Sequence, residues 1–313
     1  MENVTYELII IGGGPGGASA AVYAARKRVK TLMIAQEFGG QSVVSDDIQN
    51  WIGTPHIHGA DLAKSFKQHV HEYKADVLEI LEGPRVTGIE KKDNLFYVTT
   101  DTGAVYTSMS VLVTVGSSRR KLPVPGADRL EHKGLTYCAS CDGPLFSDMD
   151  VIVVGGGNAA FETVLQLVAY CKSVTLVNRS SEFRADQITI DKVLAHSKVI
   201  SITNVDMLEV LGEKFVSGLH IKDKTTGEEK TLSASGIFVE IGQVSNGGFL
   251  GNLVDTNEGG KIIIDPWTNK TSCEGVWAAG DVTNILYHQN NIASGAAVNA
   301  LEDIYQWLQK NKS

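Results

Sequence analysis

One local pattern occurs twice in this chain, and the repetition narrows the folds open to it. Near the start, Leu8-Ile9-Ile10-Ile11 runs into Gly12-Gly13-Gly14-Pro15-Gly16-Gly17, then the small residues Ala18, Ala20, Ala21, Ala24 and Ala25, then a second apolar run from Lys30 to Ile34. In the middle, Val151-Ile152-Val153-Val154 runs into Gly155-Gly156-Gly157-Asn158-Ala159-Ala160, a helical pattern from Phe161 to Tyr170 and a strand pattern from Val174 to Val177. A strand feeding Gly-x-Gly-x-x-Gly, or the same with a final Ala, and then a helix is a β-α-β unit. Its glycines allow a tight turn, close approach of a pyrophosphate, and close packing of helix on strand. The pyrophosphate sits on the free N–H groups of the helix N-terminus. Two such units imply two dinucleotides, one of which can be a diffusing one.

Each unit is followed by short alternating runs. Leu95 to Thr100 and Val105 to Thr107 flank the turn Asp101-Thr102-Gly103; Gly218 to Lys222 and Glu229 to Leu232 flank Thr226-Gly227. Both pairs read as antiparallel hairpins. The expected fold class is α/β, with two Rossmann-like, three-layer ββα dinucleotide-binding domains, the second inserted into the first. The expected bounds are residues 1–118 with 246–313 for the outer domain and 119–245 for the inner one. Gly116 to Pro125 and Gly242 to Gly248 are rich in small and turn-forming residues and read as hinges.

Composition excludes several classes. Net charge is -8 over 313 residues, against the basic face that sequence-independent nucleic-acid binding needs. No apolar run approaches the ~20 residues of a membrane helix, and Met1 to Glu7 lacks a basic segment followed by an apolar core. The four cysteines, Cys138, Cys141, Cys171 and Cys273, then read as a cytoplasmic complement and not as a disulfide scaffold.

Tyr137-Cys138-Ala139-Ser140-Cys141-Asp142-Gly143 stands just before the second glycine loop. Two thiols at this spacing close a small reversible ring, and the spacing lowers one thiol pKa towards neutrality. Their place beside a nucleotide loop suggests electron flow from a nucleotide to a disulfide. Asp142 is the candidate acid–base group for the leaving thiolate. Half a zinc site is the competing reading of the two cysteines; Cys171 and Cys273 stand alone and supply no second half. Cys171 reads as core, and Cys273 as having no redox role. His56-x-His58 and His69-x-His71 lack the partners of a metal frame. Leu62, Phe66, Val70 and Tyr73 fall at helical spacing as a buried face, and Ala293 to Leu308 reads as a closing helix. Trp51, Trp267, Trp277 and Trp307 read as packing residues.

These motifs resemble the low-molecular-weight thioredoxin reductases over nearly the whole chain, through Gly12 to Gly17, Phe38-Gly39-Gly40-Gln41, Gln49-Asn50-Trp51, Cys138 to Asp142, Gly155 to Ala160 and Ala278-Ala279-Gly280-Asp281. His69 to Val77, Cys141 to Phe146, Arg184 to Lys192 and Gly236 to Gly242 are closer to the flavoprotein component of bacterial alkyl hydroperoxide reductase. That relative carries an N-terminal thioredoxin-like region, which the chain is expected to lack, so its acceptor disulfide is expected on a separate protein. The resemblance implies FAD on the outer domain, held by Gly12, Gly14, Pro15, Gly17, Gly40, Gln41, Asn50, Gly116, Gly280, Asp281, Gln289 and Asn290. It implies a nicotinamide nucleotide on the inner one, at Gly155, Gly157, Asn158, Ala159, Asn178, Arg179, Arg184 and Ile241. It also implies that Cys141 faces the flavin while Cys138 attacks a thioredoxin- or glutaredoxin-like partner, that the inner domain rotates, and that the protein is a homodimer. The chain departs from the family pattern at Gln36, where an acid is common, at Thr114-Val115-Gly116, and at His288 before Gln289.

The second strand of the inner unit ends Val177-Asn178-Arg179-Ser180-Ser181-Glu182. An acid at this place holds the ribose 2′-hydroxyl of NADH, whereas arginine suits the 2′-phosphate of NADPH. Arg179 and Arg184 favour NADPH, with NADH open and selectivity weaker because Ser180 replaces a second adjacent arginine. The leading reading is an NADPH-dependent thioredoxin-disulfide reductase. The alternatives are a dithiol oxidase that passes electrons to oxygen, a ferredoxin- or NADH-linked relative, and a non-catalytic nucleotide sensor.

Overall fold

In a computed structural model, residues 4–45, 47–74 and 76–311 are described. Residues 1–3 of the N-terminal segment, residue 46, residue 75 of the 69–77 segment and residues 312–313 lie outside them. The chain divides into two compact units, unit 1 of Met1–Ser118 with Val244–Ser313 and unit 2 of Arg119–Gln243.

Unit 1 opens with β1 (Thr5–Gly13), α1 (Pro15–Arg26), β2 (Thr31–Phe38), α2 (Gly59–Glu72) and β3 (Leu78–Glu82), followed by the meander β4 (Val86–Lys92), β5 (Leu95–Thr100) and β6 (Val105–Val113). The chain crosses through β7 (Ser117–Arg119). Unit 2 contains α3 (Ala127–Leu130), β8 (Leu135–Thr136), α4 (Ala139–Asp142), β9 (Asp150–Val154), α5 (Asn158–Leu167), β10 (Ser173–Val177), α6 (Gln187–Leu194) and β11 (Val199–Ile202). Then come β12 (Val205–Gly212), β13 (Val216–Asp223), β14 (Glu229–Ser233) and β15 (Gly236–Val239). The chain returns through β16 (Gln243–Ser245), which pairs with β7, and ends with β17 (Val276–Ala278) and α7 (Asn290–Asn311).

The two units share one plan. In unit 1 the parallel order is β3-β2-β1-β6, and β6 changes partner along its length. Its Val105–Ser108 half pairs antiparallel with β5, and its Val111–Val113 half pairs parallel with β17. In unit 2 the parallel order is β11-β10-β9-β15-β8, with the antiparallel sheet β12-β13-β14 apart from it. Each sheet therefore carries helices on one side and a β-meander on the other.

The period-2 alternation of strand side chains builds both layers at once. Leu8 and Ile10 of β1 pack into a core with the alanines of α1 and with Ala297, Leu301 and Ile304 of α7. Ile9 and Ile11 pack on Val86, Ile89, Phe96 and Val98 of the meander. In unit 2, Val151 and Val153 meet Phe161, Val164 and Leu167 of α5, while Ile152 and Val154 meet Val210, Leu219 and Ile221. Burying each of these Val, Leu, Ile and Phe side chains contributes about 1.5–3 kcal/mol. Phe161→Ala, fully buried in this core, should cost about 3–5 kcal/mol.

Trp277 is buried, stacks edge-on with Trp307 and donates from Nε1 to Asp303, and Trp51 packs edge-on against Phe66. Trp267 corrects the packing reading: it is 83% exposed, its backbone N–H held by the Asp265 carboxylate in a turn. Residue type misled there because Trp267 lies in an irregular loop and not on an element with an inward face.

Candidate active site

In unit 1 the first glycine loop is fixed by the neighbouring strand. Gly12 has φ +117°, and a Cβ there would lie 2.5 Å from the Thr114 carbonyl oxygen. A Cβ on Gly17 would lie 1.9 Å from the Gly12 carbonyl oxygen, which is why helix and strand can approach only with glycine at that place. Gly14, by contrast, faces open space, and a Cβ on Gly40 would meet only the Gly14 Cα at 3.5 Å. These two glycines form a bare backbone cradle at the N-terminus of α1, which carries Pro15 at its start. A pyrophosphate fits such a place.

The N-terminus of α7 arrives beside it, because Gly16 of α1 lets the Ala293 carbonyl come near (3.2 Å from a Cβ placed there). This approach gathers residues far apart in sequence. Asn50 Nδ2 donates to Gln289 Oε1 at 3.0 Å, Ser42 Oγ donates to Asn290 Oδ1 at 2.8 Å, and Asn291 Nδ2 donates to the Asn50 carbonyl at 2.7 Å. Gln41 is exposed next to Ser42. Gly280 turns with φ +78° under the Thr283 hydroxyl, and the Asp281 carbonyl accepts from Lys261 Nζ at 3.1 Å, which also meets His288 Nε2 at 3.0 Å. Gly116 lies after β6 with φ +65°. Gln36 and Glu37 are both exposed at the end of β2. Ser42 and Lys261 carry no sequence signal, since their partners are distant along the chain.

In unit 2 the second loop repeats the design. A Cβ on Gly155 would lie 2.4 Å from the Glu240 carbonyl oxygen, whereas Gly157, the residue before α5, faces open space. The segment after β10 folds back on this loop. Asn178 is buried, and its Nδ2 donates to the carbonyls of Ser180 (3.0 Å) and Glu182 (2.8 Å); Gly156 has no room for a Cβ because of this side chain. Arg184 N–H donates to the Gly156 carbonyl at 2.7 Å, Asp186 N–H donates to Asn158 Oδ1 at 2.9 Å, and Lys224 Nζ donates to the Arg179 carbonyl at 2.7 Å. The guanidinium groups of Arg179 and Arg184 are thus carried, exposed, on a loop pinned to the glycine turn. Asn178 shapes that loop and spends its amide within it. Ile241, two residues after β15, packs against the core formed by Ile152, Val154 and the meander.

Cys138 and Cys141 form a disulfide with Cα atoms 5.3 Å apart, Cys138 capping the single turn α4 and Cys141 lying within it. Cys141 N–H donates to Cys138 Sγ at 3.2 Å. After reduction this donor would stabilise a thiolate on Cys138. Thr136, at the end of β8, accepts from Cys138 N–H at 3.4 Å and donates its hydroxyl to Asp142 Oδ2. It therefore ties the acid to the dithiol turn. A lone threonine two residues before a cysteine gives no warning of this. Tyr137 lies beside Glu131, and burial with that acid pushes its hydroxyl pKa well up. Cys171 is fully buried and Cys273 partly so, and burial raises both thiols; neither carries the low pKa of a reactive cysteine.

Among the described residues no helix is long and apolar enough to cross a membrane. The family model described as pyridine nucleotide-disulphide oxidoreductase matches residues 6–301. An alkyl hydroperoxide reductase component of Staphylococcus aureus is 39% identical over 306 residues, covering 98% of this chain and 60% of that protein. The chain thus spans 60% of the length of that curated relative. The thioredoxin reductase of Streptococcus pyogenes superposes with TM-score 0.89 at 33% identity, covering 99% of this chain and 100% of that one. The thioredoxin reductase of Giardia duodenalis gives 0.90 at 28%, covering 97% and 99%. With two dinucleotide-binding folds and a disulfide in the second, the chain belongs to the pyridine nucleotide-disulphide oxidoreductases, a family that works with FAD and a nicotinamide nucleotide.

Proposed function

We propose that this protein is an NADPH-dependent disulfide reductase whose acceptor is the disulfide of thioredoxin or a thioredoxin- or glutaredoxin-like protein. The carrying observation is the closed Cys138–Cys141 disulfide, held in the same unit as a complete nucleotide loop with an acid tied beside it. Bound FAD in unit 1 would supply the two-electron relay between nicotinamide and sulfur. The net change is NADPH, a proton and a disulfide giving NADP⁺ and two thiols.

The chain's own residues bind, orient and move protons. Gly12, Gly14, Pro15 and Gly17 cradle the flavin nucleotide's pyrophosphate, with Gly40, Gln41, Asn50, Gly116, Gly280, Asp281, Gln289 and Asn290 around the rest. Gly155, Gly157, Asn158 and Ala159 cradle the nicotinamide nucleotide, with Asn178 shaping the Arg179–Arg184 loop that meets the 2′-phosphate and with Ile241 after β15. Cys138 attacks the partner's disulfide, Cys141 closes the ring again, and Asp142 gives and takes the thiol proton. The dithiol must meet both the flavin side and a protein substrate, so unit 2 turns about the crossings after residues 118 and 243. The protein acts as a homodimer in the cytoplasm, where thiols stay reducible.

The similarity to a component of an alkyl hydroperoxide reductase favours a second reading, in which the acceptor belongs to a peroxide-reducing system. Reduction of thioredoxin, of a peroxiredoxin and of an artificial aromatic disulfide, each driven by NADPH or NADH and compared with Cys138→Ser, separates the readings. An NADH kcat/KM equal to or above that of NADPH would overturn the nucleotide assignment. Oxygen uptake with small dithiols and no nicotinamide would point to the oxidase instead.

A further inference from the structure

Glu240 is a buried acid with no part in disulfide exchange. It follows β15, and its N–H donates to the Val154 carbonyl at the end of β9. The chain leaves β9 through α5 towards β10 on one side, while β15 flanks β9 on the other. The gap between these strand ends is the topological switch point, where open α/β sheets bind their ligands. The carbonyl of Glu240 lies against Gly155 of the nucleotide loop. Its side chain is only 7% exposed; Oε1 accepts from Thr163 Oγ1 of α5 at 3.1 Å, and Oε2 lies 3.6 Å from Nη1 of Arg119 in β7. The charged groups acting on it are Arg119 from β7 and Glu162 from α5. In unit 1 the same station, the residue after β6 that donates to the Ile11 carbonyl, is the neutral Thr114.

We propose that Glu240 is the group through which nicotinamide-nucleotide binding to unit 2 takes up a proton. The inference rests on the nicotinamide site proposed above. A dinucleotide brings anionic phosphates to the glycine loop and displaces water from the crevice. Both changes disfavour a carboxylate at its floor. The carboxyl is poised for this response: burial, ahead of the opposing Arg119 charge and Thr163 hydrogen bond, pushes its pKa up to about 7. Arg119, 3.6 Å away and not bidentate, opposes this rise without cancelling it. By linkage, affinity for the nucleotide is highest with Glu240 protonated and falls as pH rises past neutrality.

Isothermal titration of the whole protein with NADP⁺, in buffers of different ionisation enthalpy, counts the protons taken up. Near pH 8 the wild type should take up about 0.4 proton more than Glu240→Gln. The 2′-phosphate titrates in both proteins, so the difference isolates Glu240. Wild-type affinity should fall about fivefold more than the variant's between pH 6 and pH 8. Infrared difference spectra give a second readout: a protonated-carboxyl band that appears on NADP⁺ binding near pH 8 in the wild type and is missing in Glu240→Gln. Arg119→Gln should retain the uptake and move it to higher pH. Equal uptake in wild type and Glu240→Gln overturns the proposal, as does a Glu240→Gln loss of affinity that is the same at both pH values, which would mark a direct nucleotide contact. If NADP⁺ and NAD⁺ bind neither protein, the nicotinamide site itself is refuted and the proton coupling with it.

Discussion

Thr114 and Glu240 stand at one structural address in two copies of one fold. Each follows the strand beside a glycine loop, each donates its N–H to the residue before the first loop glycine, and each presents its carbonyl to that glycine. Their side chains differ in kind. Thr114 closes on the Ile11 carbonyl at 2.9 Å, a neutral bond that locks the loop whatever the pH. Glu240 places a titrating carboxyl there. The backbone demands of a dinucleotide loop were thus kept twice, while the chemistry beside the loop diverged. A locked loop suits a nucleotide that stays bound, and a titrating one suits a nucleotide that comes and goes.

The comparison can be sharpened experimentally, beginning with the largest effect. Cys138→Ser should reduce NADPH-driven disulfide reduction to background while leaving nucleotide binding to both units intact; retained turnover would remove unit 2's dithiol from the path. The loops themselves should respond unequally to one added methyl. Gly17→Ala forces a Cβ against backbone in unit 1 and should cost about 3 kcal/mol or more in thermal unfolding, together with flavin content. Gly157→Ala, facing open space, should cost about 1 kcal/mol or less and weaken only nicotinamide-nucleotide affinity.

Glu240 also gives unit 2 a pH-dependent stability that Thr114 cannot give unit 1. Folding raises its pKa from 4.5 to about 7. The fold favours the proton-bound form, so this stabilisation is complete below about pH 4.5 and is lost as pH rises through 7. About 3 kcal/mol should disappear across that window in wild type and not in Glu240→Gln, read by chemical denaturation at each pH. Thr136→Val removes the hydroxyl that donates to Asp142. It should slow disulfide reduction about tenfold and move its pH profile, with Thr136→Ser restoring both; an unmoved profile would make Thr136 merely structural. The smallest effect belongs to the pinned cation loop. Arg179→Gln or Arg184→Gln should each lower the NADPH-over-NADH preference by up to about tenfold, measured as the ratio of kcat/KM values.

The sequence displays β1, α1, β9 and α5 openly, because strand, glycine turn and helix are contiguous and each obeys its own period. The hairpins β5–β6 and β13–β14 are visible for the same reason. Their third strands, β4 and β12, are not: Val86–Lys92 is mostly polar and exposed, and β12 carries register shifts that break alternation. The cysteine pair and the glycines of the site are legible as local motifs. The contacts that tune them are not, since Thr163 of α5, Arg119 of β7 and Glu240 after β15 come from three separate stretches that only the tertiary fold brings together. The same holds for Asn50 with Gln289 and Ser42 with Asn290. Local chemistry can be read along a chain, whereas electrostatic context depends on long-range topology.

The most direct test is an anaerobic titration of the flavin-loaded protein with NADPH, following flavin absorbance and counting free thiols. Bleaching of the flavin together with two new thiols, mapped to Cys138 and Cys141, is the predicted result. A flavin that never bleaches, or one that bleaches while the disulfide stays closed, would contradict the account.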